Sequence, residues 1–236
     1  MHRSIFKYCI DWYHVLSALC ADLWYGRPSR KLVVIGVTGT NGKTTTAHFI
    51  TTILEAAGKR VGLISTIAIH IGGQERVNET KMTSLKNCWQ IQRFLREMVA
   101  AGDAYAVVET TSHALDQYRV HRVVYDVAVV TNVTHEHLDY HKTIDRYRKA
   151  KERLFAMVSG RSKKILHGER IPRVTVVNAD DQSAPSFLRY RSDMRMAYGT
   201  HDRPQEVEEK YFVRPAVLTS PLSIPGTFTI ANACAA

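Results

Sequence analysis

Cysteine is scarce in this chain and is never arranged for chemistry. Cys9, Cys20, Cys88 and Cys234 lie far apart with no Cys-x-x-Cys among them, so neither a zinc site nor a disulfide framework is indicated, and a reducing, cytoplasmic setting fits. Internal repeats and low-complexity segments are also missing, and nothing argues for disorder. No apolar run is long enough to span a bilayer. The nearest approach is the N-terminus, where Met1 to Lys7 is basic and Ile10 to Trp24 is largely apolar, as in a signal peptide. Asp11, His14 and Asp22 interrupt that run, and Leu19 precedes Cys20 where a lipoprotein cleavage site needs a small residue. Residues 1–30 are therefore expected to form an amphipathic helix and a linker. Two placements of the helix stay open: packed on the domain, or in weak contact with a membrane surface through residues 4–25.

Acid is in deficit as well. Against 32 Lys and Arg stand 22 Asp and Glu, a net charge of +10, which suits anionic partners such as nucleotides, nucleotide-sugars or a membrane surface. Nucleic acid is not an expected partner, because the basic residues are scattered and no recognition motif accompanies them. The 236 residues, 45% hydrophobic and 23% charged, suffice for one large soluble domain or two small ones.

What the chain does have is a phosphate-binding signature. The apolar run Leu32 to Ile35 leads into Gly36-Val37-Thr38-Gly39-Thr40-Asn41-Gly42-Lys43-Thr44-Thr45-Thr46, which reads as strand, glycine loop and helix. Glycines at 36, 39 and 42 let the backbone approach an anion, and the following helix aims its free N–H groups and positive dipole end at it. Lys43 is placed to reach the β- and γ-phosphates of a nucleoside triphosphate, and the Thr44 hydroxyl to hold magnesium. The general pattern asks for glycine where this chain has Val37; its glycine stands one step earlier.

Beyond Gly26-Arg27-Pro28-Ser29 the hydrophobic pattern alternates between strand and helix, the mark of a mostly parallel α/β sheet flanked by helices. Strands are expected at 32–36, 61–65, 104–109, 125–131 and 173–178, and helices at 44–57, 85–100, 143–158 and 183–190. Ligands of such sheets sit beyond the carboxyl ends of the strands. Glu109 stands at one such end, either as a magnesium ligand or as a surface carboxylate. Another strand opens into Asn132-Val133-Thr134-His135-Glu136-His137-Leu138-Asp139-Tyr140-His141. Three histidines in seven residues admit a zinc reading, although the spacing is irregular and cysteine is distant. The helix from Thr143 puts Lys151 on the same face as Ile144, Tyr147, Leu154, Phe155 and Val158. Such a lysine either snorkels outward or is buried, loses its charge and becomes a nucleophile able to take up carbon dioxide as a metal-binding carbamate.

Gly39-Thr-Asn-Gly-Lys-Thr-Thr45, Glu109 with Ser112-His113-Ala114-Leu115, Thr131-Asn132, His137-Leu-Asp-Tyr-His141, Tyr147 with Ala150-Lys151 and Leu154-Phe155, and Asn178-Ala-Asp-Asp181 occur in this order. The set resembles the central ATPase domain of the Mur ligase family, nearest its UDP-N-acetylmuramyl-tripeptide synthetase branch, over residues 31–236. The resemblance implies a P-loop NTPase-like domain of a cytoplasmic ligase. In such an enzyme ATP with Mg2+ phosphorylates the carboxylate of a UDP-muramoyl-peptide, and an amino-acid amine attacks the acyl phosphate. It implies ATP contacts by Gly39, Thr40, Asn41, Gly42, Lys43, Thr44 and Thr45, with Asn132 and Asn232 near the adenine. Metal ligation falls to Thr44, Glu109, His137 and carbamylated Lys151, and catalysis to Lys43, His137 and Lys151. Substrate contacts fall to Thr83, Thr111, Gln117 and Arg119.

Several positions depart from the family's pattern: His135-Glu136 replaces Arg-Asp, Met82 precedes Thr83 where a second threonine is usual, and Thr229 replaces an asparagine. The segment between Tyr198 and Leu222 is short. About thirty residues stand where the family has its amino-terminal domain, and its carboxyl-terminal domain is expected to be absent. A folylpolyglutamate-type amide ligase and a non-catalytic ATP-binding module remain alternatives.

Overall fold

The computed structural model describes residues 2–79, 87–162, 164–200 and 202–214. In chain order these build α1 (His2–Trp24), a 3-10 turn (Pro28–Lys31), β1 (Val33–Thr38), α2 (Lys43–Ala56), β2 (Val61–Ile64), β3 (Ala68–Ile71), β4 (Gln74–Val77), α3 (Cys88–Ala101), β5 (Tyr105–Glu109) and α4 (Ser112–Asp116). Then come β6 (Val127–Val130), α5 (Leu138–His141), α6 (Ile144–Ser159), β7 (Lys164–Leu166), β8 (Glu169–Ile171), β9 (Val174–Asn178), α7 (Ala184–Leu188), β10 (Met194–Tyr198), a second 3-10 turn (Glu209–Tyr211) and β11 (Phe212–Val213).

Nine strands form one sheet in the order β11-β10-β9-β6-β1-β5-β2-β3-β4. β1 lies at its centre, parallel to β5 and β6, and only the β3–β4 edge runs antiparallel. Every expected strand is present. β1 alternates its side chains between two cores, both apolar, as a strand covered on both faces must. Val34 packs with Val108, Val130, Leu154 and Phe155 on one side, while Ile35 and Val37 pack with Ala47 and Ile50 of α2 on the other. Burying side chains of this size is worth about 1.5–3 kcal/mol each, so the centre of the sheet is its firmest part.

The helices begin where the sequence supplies a cap. Asn87 accepts a hydrogen bond from the Gln90 N–H to start α3, and Thr143 does the same for Arg146 to start α6, each satisfying an N–H without an intrahelical partner. α1 packs on α3, tied by Trp89 Nε1 donating to Ser17 Oγ at 3.1 Å, and the Arg122–Asp22 ion pair at 3.5 Å holds it to the segment that leads into β6. The C-terminal half of the helix is thus packed on the domain along one side.

At the amino ends of β1 and β6 a buried ionic knot ties three segments. Asp126, fully buried, accepts from Val34 N–H at 2.8 Å, from Lys164 Nζ at 2.7 Å and pairs with Arg161 at 2.9 Å. Lys164 also donates to the carbonyls of Ser29 and Leu32.

Gly36 corrects the reading of the phosphate loop. It is not in the loop at all but inside β1, paired with Val108 and Ala128. A Cβ there would lie 2.8 Å from Leu154 and 2.9 Å from Tyr125, so the glycine is required by core packing.

Candidate active site

Between β1 and α2 the chain turns through Gly39 to Gly42. Gly39 has φ +149°, and a Cβ on it would come within 1.9 Å of Thr131 Oγ1, so this position admits glycine alone. Gly42, at φ +82°, starts α2, whose first N–H groups lack intrahelical acceptors and point into the loop. The loop is braced from the end of β6. Thr40 N–H donates to Asn132 O at 2.8 Å. The Asn132 side chain accepts from Asn41 N–H at 2.9 Å and donates to Asn41 O at 3.1 Å, while Thr131 Oγ1 donates to the same carbonyl at 2.6 Å. Asn132, expected near an adenine, here clamps the loop through both its side-chain polar atoms, a role that leaves the adenine expectation open.

At the carboxyl end of β5, Glu109 is buried and gathers Thr44 Oγ1 at 3.0 Å and Thr66 N–H at 2.8 Å. The surface-carboxylate alternative is thereby removed. A hydroxyl and a carboxylate oxygen this close, at the first turn of a helix facing a phosphate loop, form the hard-oxygen pair that suits magnesium shared with phosphates. Lys43 folds back to donate to Thr40 O at 2.7 Å. Burial lowers its pKa, and the charges of Glu109 and Glu136 oppose that shift.

Lys151 does not snorkel. It is 1% exposed, donates to Gly39 O at 2.5 Å and sits 4.2 Å from the centre of the Tyr147 ring. Burial, and then the Lys43 charge, push its pKa well below the ordinary lysine value, which favours the neutral amine. Gly39, Lys43, Thr111, Ser112, His113, His137, Tyr147 and Lys151 line one cavity of about 330 Å³. His137 holds a left-handed backbone, φ +54°, and its ring lies 6.0 Å from that of Tyr147.

Five of the expected residues therefore share the cavity: Gly39, Lys43, Thr111, His137 and Lys151. The Thr44–Glu109 pair is linked to them through α2. Gln117 and Arg119 lie at the far end of α4, bonded to each other, with Gln117 Nε2 donating to Tyr140 Oη at 3.2 Å. They connect to the cavity through Tyr140, whose ring is 4.4 Å from that of His113. Thr40, Asn41, Gly42 and Thr45 belong to the loop and first helical turn. Thr83 and Asn232 fall outside the described residues.

The zinc reading gains nothing from the fold. Among the described residues, no three His, Cys, Asp or Glu side chains gather as metal ligands. His141 is instead buried, its Nε2 within 3.1 Å of Ser112 Oγ, and burial lowers its pKa to about 4.

Ser112, His113 and Tyr147 join the cavity lining beyond the expected site residues. Tyr147 stands four residues before Lys151, a spacing that stacks side chains on a helix and could have signalled the ring–amine contact. His113 gave no such signal, because the segments around it meet only in the tertiary fold.

Known proteins resemble this chain over most of its length. Residues 37–236 match the model of the Mur ligase middle domain. The chain belongs to the Mur ligase family. It is 39% identical over 216 residues to the UDP-N-acetylmuramoyl-L-alanyl-D-glutamate--2,6-diaminopimelate ligase of Geobacillus thermodenitrificans, covering 90% of this chain and 42% of that protein. It is 37% identical over 237 residues to a UDP-N-acetylmuramyl-tripeptide synthetase of Roseiflexus, covering 94% and 46%. A solved UDP-N-acetylmuramoyl-L-alanyl-D-glutamate--2,6-diaminopimelate ligase superposes with a TM-score of 0.59 at 30% identity, covering 72% of this chain and 32% of that one. This Mur ligase chain thus spans less than half the length of the curated relatives it matches.

Proposed function

We propose that this chain is the ATP-binding, carboxylate-activating part of an acid–amino-acid ligase acting on a UDP-muramoyl-peptide in the cytoplasmic stage of peptidoglycan precursor synthesis. The observation that carries the reading is the convergence of the phosphate loop and the Lys151 amine on one cavity, with the Thr44–Glu109 oxygens joined to it through the first turn of α2. Lys43 and the first turn of α2 neutralise and orient the β- and γ-phosphates. Thr44 and Glu109 hold magnesium, which supplies charge neutralisation during phosphoryl transfer when bound. His137 and a carbamate on Lys151 serve a second ion; an ammonium has no lone pair for a metal, whereas the neutral amine that burial favours can form the carbamate. Thr111, Gln117 and Arg119 face the muramoyl peptide whose carboxylate is activated, and Thr83 and Asn232 complete the substrate and adenine contacts.

A second reading, a nucleotide-binding module without ligation, rests on the phosphate loop and the Thr44–Glu109 pair alone. Calorimetry with MgATP, followed by phosphate release with UDP-muramoyl-dipeptide and candidate amino acids, separates the two. The ligase reading expects release only when ATP, acceptor and amino acid are all present. Tight ATP binding with no substrate-dependent release would overturn it in favour of the binding module.

A further inference from the structure

The outer side of α1 is unlike the rest of the surface. Trp12, Tyr13, Leu16, Leu23 and Trp24 are all exposed, Trp12 at 65%, Tyr13 at 68% and Trp24 at 77%. At 100° per residue these side chains and Cys20 occupy one arc of about 120°, without a charge in it. The two acids of this stretch point the other way. Asp11 is half-buried, and Asp22 is buried on Arg122. The helix is anchored by Ser17, Asp22 and the Tyr25–Trp89 ring contact, which leaves the aromatic arc facing outward. Contiguous exposed apolar surface of this kind marks an interaction site.

A cationic pocket adjoins the C-terminal end of the same helix. Arg30, His121, Arg122, Arg161 and Lys164 line it. Two carboxylates pair with three of its four lysine and arginine groups. Asp126 takes Arg161 and Lys164, and Asp22 takes Arg122, leaving a surplus of two positive charges in which exposed Arg30 takes part.

We propose that α1 lies on an anionic membrane surface, its Trp–Tyr–Leu arc inserted at the headgroup boundary, with exposed Arg30 just beyond the helix adding attraction to the headgroups' charge. Tryptophan and tyrosine are the side chains that favour this boundary, and basic residues beside them add electrostatic attraction to anionic lipid. No helix among the described residues is long and apolar enough to cross the bilayer, so the contact is along the surface. The charge complementarity favours lipid over a second copy of a chain whose net charge is +10.

Vesicle co-sedimentation of the 236-residue chain tests this, using phosphatidylcholine alone and phosphatidylcholine mixed with phosphatidylglycerol. Partitioning to the anionic vesicles is expected to be at least about tenfold stronger, to fall with added salt, and to blue-shift the tryptophan emission. The double variant Trp12→Ser/Trp24→Ser should lose it by about tenfold or more, and Arg30→Glu should weaken it roughly tenfold. All three positions are exposed, and an unchanged circular dichroism spectrum checks the fold. The proposal is overturned by equal partitioning to both vesicle types, by undiminished binding of the tryptophan variant, or by a stable dimer in sedimentation that protects Trp12 and Trp24 without lipid.

Discussion

Two lysines are buried at opposite ends of the central strands, and their surroundings differ in kind. Lys164, at the amino ends, meets a carboxylate and two carbonyls: Asp126, Ser29 and Leu32. Lys151, at the carboxyl ends, meets one carbonyl, an aromatic ring and the charge of Lys43. Burial presses on both ammonium groups in the same direction, but only Lys164 has a buried anion to oppose it. A buried cation with a full set of partners holds a fold together; one left short of partners marks a place where chemistry or a ligand is to supply what is missing. The contrast separates a structural knot from a site within one sheet.

The comparison breaks most visibly at Asp126. Asp126→Ala strands Lys164 and Arg161 without their anion and is expected to cost about 3–5 kcal/mol in urea denaturation. ATP affinity of the folded fraction should not change, because the knot lies at the end of the sheet away from the loop. At the other end Gly39→Ala forces a side chain into φ +149° and onto Thr131. The backbone strain alone is worth about 1–3 kcal/mol, and calorimetry should find ATP binding lost with it. Asn132→Ala frees the Asn41 N–H and C=O from their side-chain partner and is expected to cost about 1–2 kcal/mol, with weaker ATP binding as the loop loosens.

A further effect, absent at neutral pH, is a pH slope at His141. Its pKa is depressed to about 4 in the fold against about 6.5 unfolded. Below 6.5 the unfolded chain takes up a proton that the folded one refuses, so stability falls as pH drops from about 6.5 toward 4. His141→Gln should flatten that part of a thermal-melting profile against pH.

Much of the central sheet was legible because its strands are continuous apolar runs and its helices carry a clear 3.6-residue stripe. The edges were not. β3 and β4 are four residues each, too short for periodicity to register, although Gly72-Gly73 between them, both at positive φ, is a hairpin signal that deserved use. At the far edge β11 is two residues long, and β10 is fully buried only at Ala197 and Tyr198, too little for an apolar run to mark them. Within the site, Lys43, Thr44 and Glu109 could be anticipated from local order along the chain, and Lys151 from its helical face. Gly36 was misjudged because a glycine next to a glycine loop looks alike in sequence whether it serves an anion or makes room for Leu154 and Tyr125. The clamp by Asn132 and the neighbours of His113 depend on contacts between distant segments, which no local pattern encodes.

The difference between the two lysines is tested most directly by equilibrium urea denaturation of Lys151→Met beside Lys164→Met at neutral pH. Methionine keeps most of the volume and removes the charge. Lys151→Met is expected within about 1 kcal/mol of the parent chain or above it, because it relieves an uncompensated desolvation at the loss of one hydrogen bond. Lys164→Met is expected about 3–5 kcal/mol below the parent, because it breaks a compensated buried pair. Equal destabilisation by the two substitutions would contradict the account, since Lys151 would then be as structural as Lys164.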